Sequence, residues 1–485
     1  MRSIVKCIYE HSLRAPEKTA VITETATVNY ANFWKYIKGV YIVLKQNDIK
    51  QGDRVILEAS HTIEFLVCCY AIHLIGAVHV PVESKIPEKR VEEIAEEICP
   101  ALIITGHNPL ERFGTSLAIL EETNLDSCSY TFPSEELLQE ILFTTGTTGK
   151  SKGVMITHYA QMNMCESQNR VLNYREDNVW LIPTPMNHAA GLRKTHMSMV
   201  KGSTVLLMEG FRNLKLFFEN MRKYHVTSLY LPPSAVHYIL LLAGKELSKF
   251  DEQLDFLYSS SSALPSGDKE KLITLLPHVR KFDAYGGSEV GAVVYIDYNT
   301  SNKPGNCVGR PNPGVKVYTV NEEHLPFKAT KEHPGIIAIK SNTVTAGYWN
   351  EPELTTQTIQ NGVIYMSDLG YFDEEGYLYL AGRRDDVINF GGFKVAPTEV
   401  EDVALRFPKI AECVCVPYDS EIYGLCIKML VVMKSDCVLD KKEISDFLNS
   451  KLESYKIPKF IESVDEIPKT FNGKINRKII IDSLQ

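Results

Sequence analysis

No two of the eleven cysteines stand in a C-x-x-C spacing, and Cys68–Cys69 and Cys413/Cys415 are simply near neighbours. That scatter excludes a disulfide scaffold and reads as reduced, mostly buried thiols of a cytoplasmic protein. An uninterrupted signal core is missing as well, since Met1 to Lys18 alternates charged with apolar residues. Positive charge is not in excess: the net charge is -8 and the pI about 6.0, so no broad cationic field invites nucleic acid. Low-complexity tracts and internal repeats are absent. The one long uncharged run, Phe65 to Val82, carries His73, Gly76, His79 and Pro81. It reads as a buried helix turning at Gly76 into a short strand, and predicts no membrane anchor.

What is present is a chain of 485 residues, 44% hydrophobic and 23% charged. That is too long for one core and predicts at least two domains. Helical and β-rich segments alternate. Val40 to Leu44 and Ile63 to Ile75 read as helical, and Arg54 to Glu58, Ala77 to Val80 and Ala101 to Thr105 as short buried strands. A helix at Met221 to Val226 leads into a strand at Ser228 to Leu231. The expected fold class is α/β: a large multi-sheet N-terminal domain, 1–384, and a small mobile α+β C-terminal domain, 385–485. The boundary falls in the charged strip Gly382-Arg383-Arg384-Asp385-Asp386. Past it, Thr398 is expected to cap a helix, Cys413 to Val416 and Cys426 to Val432 to be strands, and Lys441 to Leu452 an amphipathic helix.

The most informative stretch is Thr144-Thr145-Gly146-Thr147-Thr148-Gly149-Lys150-Ser151-Lys152-Gly153. Glycines let backbone N–H groups approach a ligand closely, the hydroxyls add neutral donors, and the lysines add charge. That combination suits polyphosphate. The nucleotide-triphosphatase loop G-x-x-x-x-G-K-[ST] would need glycine at position 144, where Thr144 stands. The P-loop register fails.

Thr-Thr-Gly-Thr-Thr-Gly-Lys-Ser-Lys-Gly resembles the signature loop of the adenylate-forming superfamily: acyl- and aryl-CoA synthetases, nonribosomal peptide adenylation domains and beetle luciferases. Four further blocks follow in the matching order. The resemblance implies that Thr144, Thr145, Gly146, Thr147, Thr148, Gly149, Lys150 and Lys152 hold the β- and γ-phosphates of ATP. In Asp283-Ala284-Tyr285-Gly286-Gly287-Ser288-Glu289, it implies a nucleotide site of Asp283, Tyr285 against adenine, Gly286 and Gly287, with Ser288 on the α-phosphate and Glu289 on Mg2+. Tyr365 to Gly370 is similar to the block whose aspartate accepts from both ribose hydroxyls, here Asp368, with Ser367 where a glycine is usual. The block from Gly382 to Lys394 gives Arg383 to ribose or phosphate, Asp385 as hinge and Gly392 to a thiol channel. Finally, Pro468 to Lys474 makes Lys474 the catalytic residue bridging substrate carboxylate and α-phosphate.

Pro185-Met186-Asn187-His188-Ala189-Ala190-Gly191-Leu192 is similar to the acyl-pocket block, with His188 as a catalytic gate and Ala189 and Gly191 as lining. No aspartate stands there to bind an α-amine, which points to an aryl or aliphatic acid. Ser261, Ser262 and Ala263, in a run of four serines, resemble the wall beside adenine and acyl group. Arg193 and Lys194 read as solvated charges, with a second anionic group on the substrate as the alternative.

A carboxylate is a poor electrophile because its leaving group is oxide. Attack on the α-phosphorus of ATP converts that oxide into a phosphate ester, which leaves readily. Catalysis then requires positioning and cationic stabilisation. The expected activity is acyl-adenylate formation with release of pyrophosphate, then transfer to a thiol, coenzyme A above all. The expected cofactors are ATP, Mg2+ and coenzyme A, or the phosphopantetheine of an acyl carrier protein. Loading such a carrier, or sensing a nucleotide without turnover, are the rival readings; an oxidative luciferase shares the same adenylate.

Overall fold

The computed structural model describes residues 2–484, leaving out 124–128, 146–150, 212, 261–263, 302, 304–305, 385–387, 391–392, 421–423, 436 and 470–474. Helix starts follow the local chemistry. Ser3 accepts from the Lys6 N–H ahead of helix Ile4–Arg14, and Thr62 accepts from Phe65 N–H ahead of Ile63–Ile75. The latter helix is apolar all round and buried along nearly its whole length. It ends on Gly76 at φ 76°, the left-handed cap that only glycine adopts without cost, and the chain re-enters as strand Val78–Val82.

Two sheets dominate residues 2–384. The larger has fourteen strands. Its parallel centre runs through Thr204–Leu207, Val179–Ile182, Ser228–Tyr230, Phe256–Ser260 and Arg280–Gly287. Gly291–Asp297 then pairs antiparallel, and the sheet continues to Val363–Phe372 and Leu378–Arg383. The smaller sheet orders Gly347–Tyr348, Ser151–Thr157, Leu138–Thr145, Val78–Val82, Arg54–Glu58 and Leu102–Ile104. Helices Ile63–Ile75, His158–Val171 and Ala189–Lys201 share one core with Val55 and Leu57 of the smaller sheet and Val205, Leu207 and Tyr258 of the larger. Parallel strands covered by helices read as near-continuous apolar runs, which is why they were legible.

The remaining chain has its own core. Strands Ile410–Ser420 and Gly424–Met433 form a long antiparallel pair, with Phe460–Ser463 parallel beside it. Ile388, Val395, Val400, Met429, Ile444 and Leu448 pack under helices Pro397–Ala404 and Lys441–Asn449. Two sequence expectations shift and one, the reduced and mostly buried thiols, holds among the described residues. The first of those helices is capped at Ala396 without a side-chain bond, because Pro397 presets the first helical φ; Thr398 lies inside it. The helix expected at Met221 to Val226 is Leu214–Lys223. The ten described cysteines are all free, with Cys99 exposed.

The two bodies meet through polar contacts. Ser266 Oγ lies 3.2 Å from Asp402 Oδ1, Arg406 Nη2 donates to Ser266 Oγ at 3.1 Å, and Lys331 Nζ is 3.7 Å from Glu399 Oε1.

Candidate active site

The strand Arg280–Gly287 and its antiparallel neighbour slip register between Tyr285 and Gly286. A Cβ on Gly286 would lie 1.7 Å from the Gly291 carbonyl oxygen, so the two backbones close on each other only with glycine there. This break brings Tyr285 against the next part of the sheet, where its hydroxyl donates to Asp368 Oδ2 at 2.8 Å. Asp368 is the cross-strand partner of Arg383, whose Nε lies 3.5 Å from Oδ1. Burial, with the Asp368 carboxylate beside it, holds the Tyr285 phenol well above its usual range. Asp368 therefore keeps acceptor capacity toward anything laid over Tyr285.

Ser367, standing where a turn glycine was expected, lies in the continuing strand Val363–Phe372 without a positive φ. Its carbonyl accepts from Arg384 N–H at 2.7 Å. The irregularity falls two residues later, between Leu369 and Gly370, where a Cβ would meet the Tyr379 carbonyl at 2.6 Å. The glycine requirement has moved along the strand and Asp368 keeps its place.

A second cluster surrounds Glu289. Tyr348 O–H donates to Glu289 Oε1 at 3.1 Å, and Thr345 N–H donates to the Glu289 carbonyl at 2.7 Å. A Cβ on Gly287 would come within 2.8 Å of Glu289 Oε2. Burial and the neighbouring carboxylate push the Tyr348 phenol up. Lys152 Nζ stands 5.9 Å from the centre of the Tyr348 ring, and Tyr348 pairs with Val154 of the hairpin that carries the phosphate loop. Thr144 Oγ1 donates across the same hairpin to the Lys152 carbonyl at 3.4 Å, and the Thr145 backbone pairs with Ser151. A half-buried carboxylate held by a neutral hydroxyl suits a hard cation such as Mg2+. The cradle at Gly286 and Gly287 suits a nucleotide passing close to backbone.

Tyr348 was missed by sequence reasoning. Its signal is faint: Gly347 at φ 122° followed by Tyr348 and Trp349.

Asp283 serves the sheet itself. Its carboxylate accepts from Tyr298 O–H at 2.7 Å and from Ala284 N–H at 2.9 Å, and burial raises its pKa against the pull of Lys269. His188 stands at the start of helix Ala189–Lys201, which Ala189 opens. A Cβ on Gly191 would sit 2.4 Å from the Pro185 carbonyl, so glycine is required for this helix to lie on the preceding loop.

The expectation that Arg193 and Lys194 are solvated is overturned. They are 5% and 4% exposed, because the helix that carries them is enclosed between the two sheets. Arg193 Nη2 donates to the Ser288 carbonyl at 3.2 Å, tying this helix to the nucleotide block. Lys194 Nζ lies 3.5 Å from Gln168 Oε1 and 4.5 and 4.8 Å from the Tyr258 and Tyr230 rings. Burial pushes both cations' pKa down, Lys194's strongly. Tyr230 O–H also reaches Ser260 Oγ at 3.3 Å, at the start of the serine wall. Gly146, Thr147, Thr148, Gly149, Lys150, Ser261, Ser262, Ala263, Asp385, Gly392 and Lys474 lie outside the described residues.

Residues 8–349 match the family described as AMP-binding enzyme, and 399–474 match its C-terminal domain. The chain belongs to the AMP-binding enzyme family. Among relatives, it is 33% identical to a long-chain-fatty-acid–CoA ligase of Bacillus subtilis over 70% of this chain and 60% of that protein. It is 26% identical to a 2-succinylbenzoate–CoA ligase of Bacillus cereus, over 99% of this chain and 98% of the relative. Its fold is that of the O-succinylbenzoate coenzyme A synthetase of Bacillus subtilis solved with ATP and a magnesium ion (TM-score 0.85, 23% identity, 97% of this chain and 98% of that one). This AMP-binding enzyme is an acid–thiol ligase, which activates a carboxylic acid as its adenylate before passing the acyl group to a thiol. Among the described residues no helix is long and apolar enough to cross a membrane.

Proposed function

We propose that this enzyme joins a carboxylic acid to coenzyme A, with ATP and Mg2+, in the cytoplasm, and that its two domains divide the work. One observation carries the reading: Tyr285, Asp368 and Arg383 make one cluster, joined by a hydrogen bond and an ion pair, and Glu289, Tyr348 and Lys152 another, joined by a hydrogen bond and a cation over a ring, from segments far apart in sequence. In this assignment Asp368 accepts from the ribose hydroxyls while Tyr285 lies along the base. Glu289 holds Mg2+, which neutralises charge gathering on the departing pyrophosphate. Thr144, Thr145 and the loop 146–150 aim donors at the β- and γ-phosphates, with Lys152 beside the loop on the returning strand. Lys474 bridges the substrate carboxylate and the α-phosphate.

The domain boundary belongs between Arg383, still paired in the large sheet, and Ile388, already in the small core. Asp385 falls in that interval as the pivot. Rotation there removes Lys474 and opens the Gly392 channel to the thiol. His188, Ala189, Gly191 and the wall at Ser261, Ser262 and Ala263 line the acyl pocket. Arg193, buried on the helix that follows that block, favours an acid carrying a second polar or anionic group, since its Nε has no hydrogen-bond partner among the described residues and a buried unsatisfied cation is costly.

The test is pyrophosphate release across simple, aromatic and keto- or dicarboxylic acids, with and without coenzyme A. Acid-dependent release with a coenzyme A thioester as product is expected. Release indifferent to coenzyme A would replace it with carrier loading, and ATP binding without turnover would make the chain a sensor. Lys474→Ala should slow adenylation by roughly 10²–10³-fold, the usual cost of deleting one group that stabilises transition-state charge. It should leave thioester formation from supplied acyl-adenylate intact; equal loss of both steps removes the bridging role.

A further inference from the structure

At the end of the hairpin opposite its loop, four ligand-type side chains converge in the core. Cys69 and His73 stand four residues apart on helix Ile63–Ile75 and so share one face. His79 follows on strand Val78–Val82, and Glu140, on strand Leu138–Thr145, is its register partner. Cys69 Sγ lies 3.4 Å from His79 Nδ1 and 3.9 Å from His73 Nε2. Glu140 Oε1 lies 3.6 Å from His73 Nε2 and 3.9 Å from His79 Nδ1. One ligand atom from each of the four falls within 4.8 Å of all the others, and every one of these residues is 0–1% exposed.

Tetrahedral zinc, with bonds of about 2.0–2.3 Å, places neighbouring ligand atoms roughly 3.3–3.6 Å apart. Four of the six spacings, 3.4 to 3.9 Å, lie within a few tenths of an ångström of it, and the others within 4.8 Å. His73 Nε2 and His79 Nδ1 are the nitrogens that face Cys69 and Glu140. Glu140 is held in place as well: Tyr70 O–H meets His196 Nδ1 at 3.0 Å, and His196 Nε2 meets Glu140 Oε1, the oxygen that faces the two imidazoles, at 2.6 Å. Such outer partners are what fix a ligating group in place. Charge favours an ion too. One thiolate, one carboxylate and two neutral imidazoles sum to -2, which a divalent cation cancels inside an apolar core.

We propose that Cys69, His73, His79 and Glu140 form a buried, closed structural site for a borderline-soft divalent cation, Zn2+ by its donor set. Binding forms the metal–sulfur bond as the Cys69 S–H proton is released to solvent, with no change of oxidation state. The ion ties the buried helix to the strand whose far end carries Thr144 and Thr145, and so braces the phosphate hairpin at its root.

The full-length protein, purified from zinc-supplemented cells and dialysed against EDTA, should retain about one equivalent of metal per chain by mass spectrometry, and release it only when denatured. Protein made in cobalt-supplemented medium should show thiolate-to-cobalt charge transfer with tetrahedral ligand-field bands. Cys69→Ser should lose the charge-transfer band. The trio Asp251, Glu252 and His278, of which Glu252 and His278 are exposed, is the control, and Asp251→Asn should change neither measurement. Metal below about a tenth of an equivalent, or metal retained in Cys69→Ser but lost in Asp251→Asn, overturns the proposal. If Cys69→Ser fails to fold, the cobalt spectrum of the unaltered protein decides alone: absence of the thiolate band overturns it.

Discussion

Two hydroxyls in this molecule meet carboxylates in contrasting settings. Tyr285 donates to Asp368 at 2.8 Å between strands of one sheet, with a 7% exposed tyrosine behind it. Ser266 meets Asp402 at 3.2 Å between the two bodies, where both residues are half-buried. The first bond gives up its energy only if the sheet is disrupted. The second trades for a hydrogen bond to water at little net cost. The Tyr285–Asp368 pair is thus held within one sheet, whereas the C-terminal body rests on contacts it can exchange. That is the arrangement an enzyme needs if one domain binds ATP while the other delivers and then withdraws a lysine.

The strongest way to break this contrast lies in the small domain's own interior. Arg477 Nη2 contacts both oxygens of Glu401 at 2.6 Å, and Glu401 also accepts from Cys415 N–H at 2.7 Å. Glu401→Ala strands the arginine charge and should cost about 3–5 kcal/mol. Calorimetry should show the small domain melting first, with ATP binding to the large domain retained. One joint transition, shifted as a unit, would mean the two bodies are not independent.

Next in size is the nucleotide half. Asp368→Asn removes the charged acceptor shared by Tyr285 and Arg383, a loss of about 1.5–3 kcal/mol. ATP affinity by calorimetry should fall roughly ten- to hundredfold. The small domain's transition should stay where it was; movement of both would show that the site is not confined to the large domain.

Much of this was readable in advance, because the chemistry sits in short contiguous blocks. The Thr/Gly/Lys loop, Tyr285 with Glu289, and Asp368 each carry their own local signature. Parallel strands announce themselves as apolar runs, and Gly76 marks a helix end by itself. What escaped depends on distant partners. Tyr348 matters because it reaches Glu289, 59 residues away. Arg193 and Lys194 looked solvated because charge usually is, and only the enclosing sheets bury them. Cys69 and His73 show their helical spacing in sequence, but nothing local announces that Glu140 will pair beside His79. Ser367 misled in the opposite sense: one residue departed from a pattern while the backbone moved its irregularity to Gly370.

The finest probe of the contrast is a histidine at the seam. His237, on helix Pro233–Leu247, meets Asp268 Oδ2 through Nδ1 at 2.9 Å, and Asp268 lies on the helix that begins at Ser266. That hydrogen bond and the Asp268 charge raise the His237 pKa; Glu412 of the small domain adds to the rise, while burial and Lys271 oppose it. A raised folded pKa gives stability that is complete below the unfolded value of 6.5 and disappears as pH climbs through the folded one. The side chain is 47% exposed, so solvent screening keeps the effect below about 1 kcal/mol. Between about pH 6 and pH 8 the large domain's Tm should therefore drop slightly, and His237→Gln should flatten that slope. Glu412→Gln tests whether the seam contributes: a slightly shallower slope is expected, since only one of several charges facing His237 comes from the small domain. A slope abolished by Glu412→Gln would mean the domains are electrostatically locked, and the exchangeable seam would have to be abandoned.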